Sequence, residues 1–343
     1  MKPATVSLGS RVVGPGQPCL VVAEVGASHE GQCDIALRMI EAAFKMGADA
    51  IAFAVYETER LVVRRHPERK ALGQAEFSAK DWRTVLRAAR ASGLAVIVEA
   101  FDAPSLALAA EAEVHAIEVP SGDLEHAEWL REVAATGRTL LLGAGGLAPP
   151  VVREALDLVG AVPSVLLLGL PAAPARAEDL RFLELLTARE QYRVPVGFKD
   201  RTDGGGAFAL VAPALATAYG ADLVKKPFTL DRSRKGRDYQ ASLTPEDFYR
   251  MVELLRQAEA ARGENTLPEP VDAGKNGDGH RRSMVAASLI PRGQVLTAAV
   301  LAYKRIGSRV APGYAPREGH RVIGRRAARP IQADEIIRED MLE

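Results

Sequence analysis

Nine charged side chains occupy one kind of place in this sequence. Glu24, Glu99, Glu118, Asp123, Lys199, Asp200, Arg201, Lys225 and Lys226 stand at, or just past, the C-terminal end of a short apolar run. Charges gathered at the ends of buried segments are costly unless they are paired or used. Three chemistries suit these residue types. The first is a ring of salt bridges, since structural ion-pair networks are common. The second is a grip on a polar ligand, with Glu24 the leading carboxylate because a glycine-flanked loop follows its run; a salt bridge from Glu24 to Lys226 is an equally simple reading. The third is covalent: Lys199 or Lys225, beside Arg201 and shifted toward the neutral amine, attacks a carbonyl to form a Schiff base, with Glu99 or Glu118 moving the proton. His29 reads as a loop hydrogen-bonding residue before a catalytic one.

The segments that carry these residues repeat one phrase eight times: an apolar run, a polar or glycine-bearing turn, then an amphipathic stretch. The runs are LVVAEVG (20–26), AIAFAVY (50–56), AVIVEAF (95–101), AIEVPS (116–121), TLLLGAG (139–145), SVLLLGL (164–170), PVGFKD (195–200) and LVKKPF (223–228). They are nearly continuous in apolar character, as parallel strands covered on both faces must be. Eight such strands with crossover helices predict a closed (βα)₈ TIM barrel, whose chemistry sits at the C-terminal face. Helices are expected over 35–47, 81–93, 127–137, 207–220 and 244–263. Gly47 is a plausible C-terminal cap. Thr244, Pro245 and Asp247 form a variant of the capping box.

Composition narrows the function. Lys+Arg and Asp+Glu are both 44, so the net charge is zero and no global field favours nucleic acid or an anionic membrane. Cys19 and Cys33 are the two cysteines, too few for a disulfide framework and at no metal-ligand spacing. No apolar stretch approaches membrane-spanning length and no signal peptide is visible, so a cytoplasmic protein with reduced thiols is expected. The run from Arg64 to Lys70 mixes both signs and reads as a solvated loop.

The barrel is expected over residues 1–263. Residues 264–280, rich in Pro, Gly, Asn and Asp without periodicity, read as a linker. Residues 281–343 have short mixed runs and predict a small β-rich module, marginal in size by itself.

Several motifs resemble, in order, the barrel of the sialic acid synthase (N-acetylneuraminate synthase) family. They are AEVGASHEG (23–31), GADAIAFAVYE, FDAPS, SGDL (121–124), VPVGFKDRT, KPFTLDR and GRDYQAS; RRSMVAASLIPRGQVLTAAVLAYKRIG and VIGRRAARPIQADEIIREDML resemble its C-terminal antifreeze-like (SAF) domain. The resemblance implies condensation of phosphoenolpyruvate with an N-acyl hexosamine, assisted by a divalent metal. It also implies a homodimer in which the C-terminal domain of one subunit caps the partner's barrel.

The same alignment shows departures. The family's metal-binding histidines lie in Gly-aromatic-Ser-Asp-His-Thr and Glu-Lys-His-Phe-Thr motifs. Those motifs read here Gly197-Phe198-Lys199-Asp200-Arg201-Thr202 and Lys225-Lys226-Pro227-Phe228-Thr229. Arginine does not deprotonate to ligate a metal, and proline offers no side-chain donor. The Lys-Phe-Gln of the second strand becomes Ala52-Phe53-Ala54, and the lysine before Ser-Gly-Asp becomes Glu118. Glu99 stands where an anion binds. On the sugar side Glu24, Asp238 and Arg305 match family positions, His29 keeps the histidine of Asn-His-x-Gly, and Ser121 is retained.

The expectation is therefore no metal and no cofactor, with altered chemistry on a sugar or other polar metabolite. Lys199, Glu99 and Glu118 are the catalytic candidates. Glu24, His29, Ser121, Asp123, Arg201, Lys225, Lys226, Asp238 and Arg305 are the binding candidates. A non-catalytic ligand-binding or scaffold homologue and a Schiff-base lyase or aldolase are the alternatives. A small-molecule ligand and a domain-swapped homodimer are expected; nucleic acid and membrane partners are not.

Overall fold

The computed structural model describes residues 5–170, 172–236, 238–263, 281–307, 310–311 and 313–343; the expected linker, 264–280, lies outside them. The chain divides into two compact units, Met1–Gly263 and Glu264–Glu343.

The first unit is an eight-stranded closed parallel barrel. A short antiparallel hairpin, β1 (Val6–Leu8) and β2 (Arg11–Val13), precedes it. The barrel strands are β3 (Leu20–Glu24), β4 (Ala50–Val55), β5 (Ala95–Ala100), β6 (Ala116–Val119), β7 (Thr139–Gly143), β8 (Ser164–Leu168), β9 (Val196–Lys199) and β10 (Leu223–Pro227). Each lies within one of the eight apolar runs, and β10 closes the ring against β3. The helices are α1 (Cys33–Lys45), α2 (Thr58–Leu61), α3 (Arg69–Ala75), α4 (Ala79–Ala91), α5 (Ala103–Glu111), α6 (Ala127–Ala135), α7 (Pro149–Val159), α8 (Leu183–Tyr192), α9 (Phe208–Ala218) and α10 (Pro245–Arg262).

Strand parity sorts the core into two layers. Leu20, Val22, Ala50, Ala52, Ala95, Ile97, Ala116, Leu141, Val165, Leu167 and Leu223 fill the barrel interior. Their strand neighbours Val21, Ile51, Val96, Ile117, Leu140, Leu166 and Val224 pack outward against the helices. Val6, Leu8 and Val13 join the inner layer, so the hairpin plugs the N-terminal end of the barrel. Thr139 Oγ1 ties it down by donating to the Ser7 carbonyl at 2.7 Å.

Helix ends follow local chemistry. α1 stops before Gly47, whose φ of +78° suits a residue without a Cβ. At α10 the Thr244 hydroxyl accepts from the Asp247 amide at 3.2 Å and donates to the Asp247 carboxylate at 2.9 Å, with Pro245 in the first turn. The 64–70 run is largely exposed, as a solvated loop should be; the short helix α2 ends before it and α3 begins within it, with Thr58 N donating to Glu76 Oε2 at 2.9 Å.

The second unit has its own core, including Met284, Ile290, Leu296, Val322, Ile331 and Ile337. Strands β11 (Arg282–Ala286) and β12 (Leu301–Arg305) pair antiparallel, and isolated bridges such as Ile290 to Ile331 knit the rest. Cys19 and Cys33 are free thiols. Among the described residues no helix is long and apolar enough to cross a membrane.

Candidate functional site

The parity that builds the inner core also builds the site. Two residues past Ile97 in β5 comes Glu99; two past Ala116 in β6 comes Glu118; two past Val22 in β3 comes Glu24. Lys199 and Lys225 hold the equivalent positions on β9 and β10, two past Gly197 and Leu223. The interior is therefore apolar from the hairpin upward and turns to charge at its C-terminal rim, the face where barrel sites are built.

These groups form one cluster. Lys199 Nζ lies 2.9 Å from Glu118 Oε1, 3.2 Å from Glu99 Oε1 and 3.8 Å from Glu24 Oε1. Lys225 Nζ donates to Glu118 Oε2 and lies 3.4 Å from Glu24 Oε1 and 3.8 Å from Glu99 Oε2. Arg201 Nη2 donates to Glu24 Oε1 at 2.8 Å, and Arg201 Nη1 lies 3.9 Å from Asp238 Oδ1. All three glutamates are buried. Three cations thus face three carboxylates in a setting where unpaired charge is costly.

Neighbouring charges set the protonation states. Burial pushes the Glu24 carboxyl up, but Arg201, Lys225 and Lys199 outweigh it and hold the group well below the usual carboxylate range. Glu118 is likewise held low against its burial by Lys199 and Lys225. Glu99 goes the other way: burial raises it, Lys199 opposes, and nearby Glu118 adds to the rise. Burial favours a neutral Lys199, yet Glu118, Glu99 and Glu24 override it and keep the ammonium protonated above its ordinary range. A Schiff-base nucleophile needs the free amine, so the surroundings of Lys199 suit an anion holder.

A cavity of about 420 Å³ opens above this cluster, a volume typical of small-molecule sites. Of the expected residues, Glu24, Glu99, Glu118, Ser121, Lys199, Arg201 and Asp238 line it. Lys225 lies fully buried beneath them, in contact with all three glutamates. Neither Glu24 Oε2 nor Arg201 Nε, both buried, has a hydrogen-bond partner among the described residues.

Besides Lys225, three expected binding residues of the barrel unit do not line the cavity, and Arg305 belongs to the second unit. Lys226 is one step out of phase with Lys225, so it points between barrel and helices. There it lies 2.9 Å from Asp200 Oδ2 and donates to the Thr202 carbonyl and hydroxyl at 3.0 Å each. Glu24 consequently pairs with Arg201 and Lys225, not Lys226. His29 is buried with its ring 4.2 Å from Phe77 and 5.8 Å from Trp82, and its Nδ1 accepts from the Gly31 amide at 3.2 Å. Burial pushes its imidazole down to about 4, so it serves as a neutral loop anchor. Asp123, raised by burial, follows β6 in a short 3₁₀ turn and does not line the cavity. Arg305 ends β12 in the second unit and is exposed.

The sequence reading missed one wall of the cavity. Leu61, Val62 and Leu72, which flank the run read as a solvated loop, and His66 and Glu68 within it, line the mouth. The signal was present in the spacing of Leu61, Val62 and Leu72 among charges, but two very short helices carry too little periodicity to be read.

Fold and site together define a (βα)₈-barrel protein with a charged cavity at the barrel mouth and a second, small β unit. The chain belongs to the NeuB family, whose model matches residues 39–266, and its C-terminal part matches the SAF domain over residues 281–343. An uncharacterized protein of Methanocaldococcus jannaschii is 29% identical over 98% of this chain and 98% of its own length. Human N-acetylneuraminate-9-phosphate synthase is 27% identical, covering 97% of this chain and 95% of the human protein. The crystal structure of N-acetylneuraminic acid (sialic acid) synthetase from Leptospira borgpetersenii serovar Hardjo-bovis in complex with citrate superposes with a TM-score of 0.72. It is 25% identical and covers 78% of this chain and 93% of that one.

Proposed function

We propose that this protein binds a small polar, sugar-like metabolite in the barrel mouth and acts on it without the divalent metal and phosphoenolpyruvate that the synthase resemblance implies. The observation that carries this reading is the Arg201–Glu24 pair. The two groups lock together at 2.8 Å, yet leave Glu24 Oε2 as an unpaired buried acceptor and Arg201 Nε as an unpaired buried donor. Both atoms are closed to solvent here, so a sugar hydroxyl reaches them only as the pair opens, and there it can donate to Oε2 or accept from Nε. Asp238 and Ser121 add further polar contacts on the cavity wall.

A divalent metal does not fit the residues present. At the two family histidine positions stand Arg201, a permanent cation already bound to Glu24, and Pro227, whose side chain has no donor. The glutamates that could serve as ligands are already spent on Lys199 and Lys225, and those ammonium groups repel a second cation. Among the described residues no group of three His, Cys, Asp or Glu is arranged to hold a metal ion. A phosphoenolpyruvate trianion would meet Glu99 and Glu118 where the family places its anion.

If turnover occurs, Glu99 is the group poised to exchange a proton, because burial raises it beside a cation that stays charged. Curated relatives are named synthases of N-acetylneuraminate-9-phosphate and of N,N'-diacetyllegionaminic acid, which favours carbohydrate over other polar ligands. The test is calorimetric titration of N-acetylmannosamine into protein kept in excess EDTA, together with a phosphate-release assay on phosphoenolpyruvate and manganese. Binding that EDTA does not weaken, without phosphate release, is expected; phosphate release above background would overturn the reading.

A further inference from the structure

The charged cluster does not cover the whole lining of the cavity. The stretch beside Glu24 and Glu99, from the end of β4 to the helices α2 and α3, is largely apolar: Ala54, Tyr56, Leu61, Val62, Leu72 and Phe101, with His66 and Glu68 among them. None of these six belongs to any hydrophobic core cluster of the described residues. Ala54, Leu61, Val62 and Phe101 are only half-buried, so they keep apolar surface turned toward the cavity. Tyr56 and Phe101 meet edge to face at 6.2 Å. The Tyr56 hydroxyl donates to the Leu72 carbonyl at 3.1 Å, which ties its polar end to the wall.

The wall is fixed in place. Arg69 Nη1 donates to the Val62 carbonyl at 3.0 Å, and the Glu57 amide donates to Asp102 Oδ2 at 2.8 Å, anchoring the start of α2 to the β5 end. Apolar surface left out of the core and held in a concave site calls for an apolar occupant. The cavity is of small-molecule size and the patch is continuous with the charged floor, so that occupant is part of the same ligand.

We propose that the ligand of this mouth carries an apolar alkyl or aryl substituent that packs against Tyr56, Phe101, Leu61 and Val62, while its polar part meets Glu24 and Arg201. This rests on the reading of the mouth as a small-molecule site. It adds a chemical class: a polar, sugar-like head bearing a hydrophobic group larger than acetyl.

Calorimetric titration of N-acetylmannosamine and N-hexanoylmannosamine into the full chain tests this. Each buried methylene is worth about a fourfold gain in affinity, so the hexanoyl sugar should bind at least ~10-fold more tightly than the acetyl sugar. Val62→Asp should erase that gain. Leu61→Ser, a milder change on the same wall, should reduce the gain if Val62→Asp fails to fold. Equal affinity for the two sugars, or weaker binding of the hexanoyl form, overturns the proposal while leaving the polar site intact. Binding of neither sugar overturns the underlying reading, and the proposal with it.

Discussion

Lys225 on β10 and Glu118 on β6 meet across the full width of the barrel, since the two strands are diametrically opposed in the ring. Each is flanked by a like charge in register: Lys225 beside Lys199, and Glu118 beside Glu99. Like charges side by side are unfavourable, so the cluster holds together through its cross-barrel contacts. In the motifs this chain resembles, position 118 carries lysine and position 225 glutamate. Both charges are exchanged here, and the two residues touch. Opposite charges in contact keep this part of the barrel interior close to neutral.

Breaking this pair at one end should therefore be costly. Lys225→Met leaves Glu118 buried without its nearest cation, and a loss of roughly 3 kcal/mol in urea denaturation is expected. Glu118→Leu should cost about as much. The double variant should lose less than the two single losses combined, and a strictly additive cycle would remove the direct coupling argued for the pair.

Stability should also depend on pH in a defined sense. Glu24 and Glu118 are held low by their cationic neighbours. Their contribution is complete above the unfolded-chain value near 4.3 and is lost as pH falls through the depressed folded values. Lys199 is held high by the glutamates, so its contribution is complete below about 10.4 and is lost as pH rises through its raised value. Glu99, raised by burial, works in reverse and costs stability as pH climbs past the ordinary carboxylate value. Denaturation midpoints measured across pH should show a shallower acid limb in Glu24→Gln than in the unaltered protein.

His29 gives a spectroscopic check on the placement of the first loop. With its imidazole pushed down to about 4 by burial, its ring resonances should stay those of the neutral form from pH 8 to about pH 5. Titration near the ordinary histidine value would place the ring in water.

Arg201 and Lys226 should separate binding from stability. Arg201→Gln removes the partner of Glu24 in the mouth, and affinity for N-acetylmannosamine should fall about 10-fold or more. Lys226→Met disrupts the Asp200–Thr202 contacts behind the strand. It should lower the denaturation midpoint while leaving calorimetric affinity unchanged in the folded fraction.

How much of this could be read from sequence follows from the physics of each element. Eight buried parallel strands announce themselves as continuous apolar runs, and helix α10 carries its own start signal in Thr244, Pro245 and Asp247. The hairpin Val6–Leu8 and Arg11–Val13 was hidden because three-residue strands have no period to detect. The cluster residues were found by their position at run ends, but Lys226 and Asp200 were grouped with them because run ends alone ignore parity. Counting two residues at a time from Leu223 puts Lys225 inside and Lys226 outside. His29 reads in sequence as a loop hydrogen-bonding residue, the contact its Nδ1 makes with the Gly31 amide, whereas its burial against Phe77 and Trp82 depends on contacts from distant segments. The apolar wall was masked by the charges of Arg64 to Lys70 beside it.

The most direct measurement is the binding of manganese itself, by electron paramagnetic resonance on protein stripped with EDTA and then titrated with Mn²⁺. Free-ion signal at every addition, with no stoichiometric bound fraction, is the result expected if Arg201, Lys199 and Lys225 hold the mouth. One tightly bound ion per chain, lost in Glu24→Gln, would contradict it.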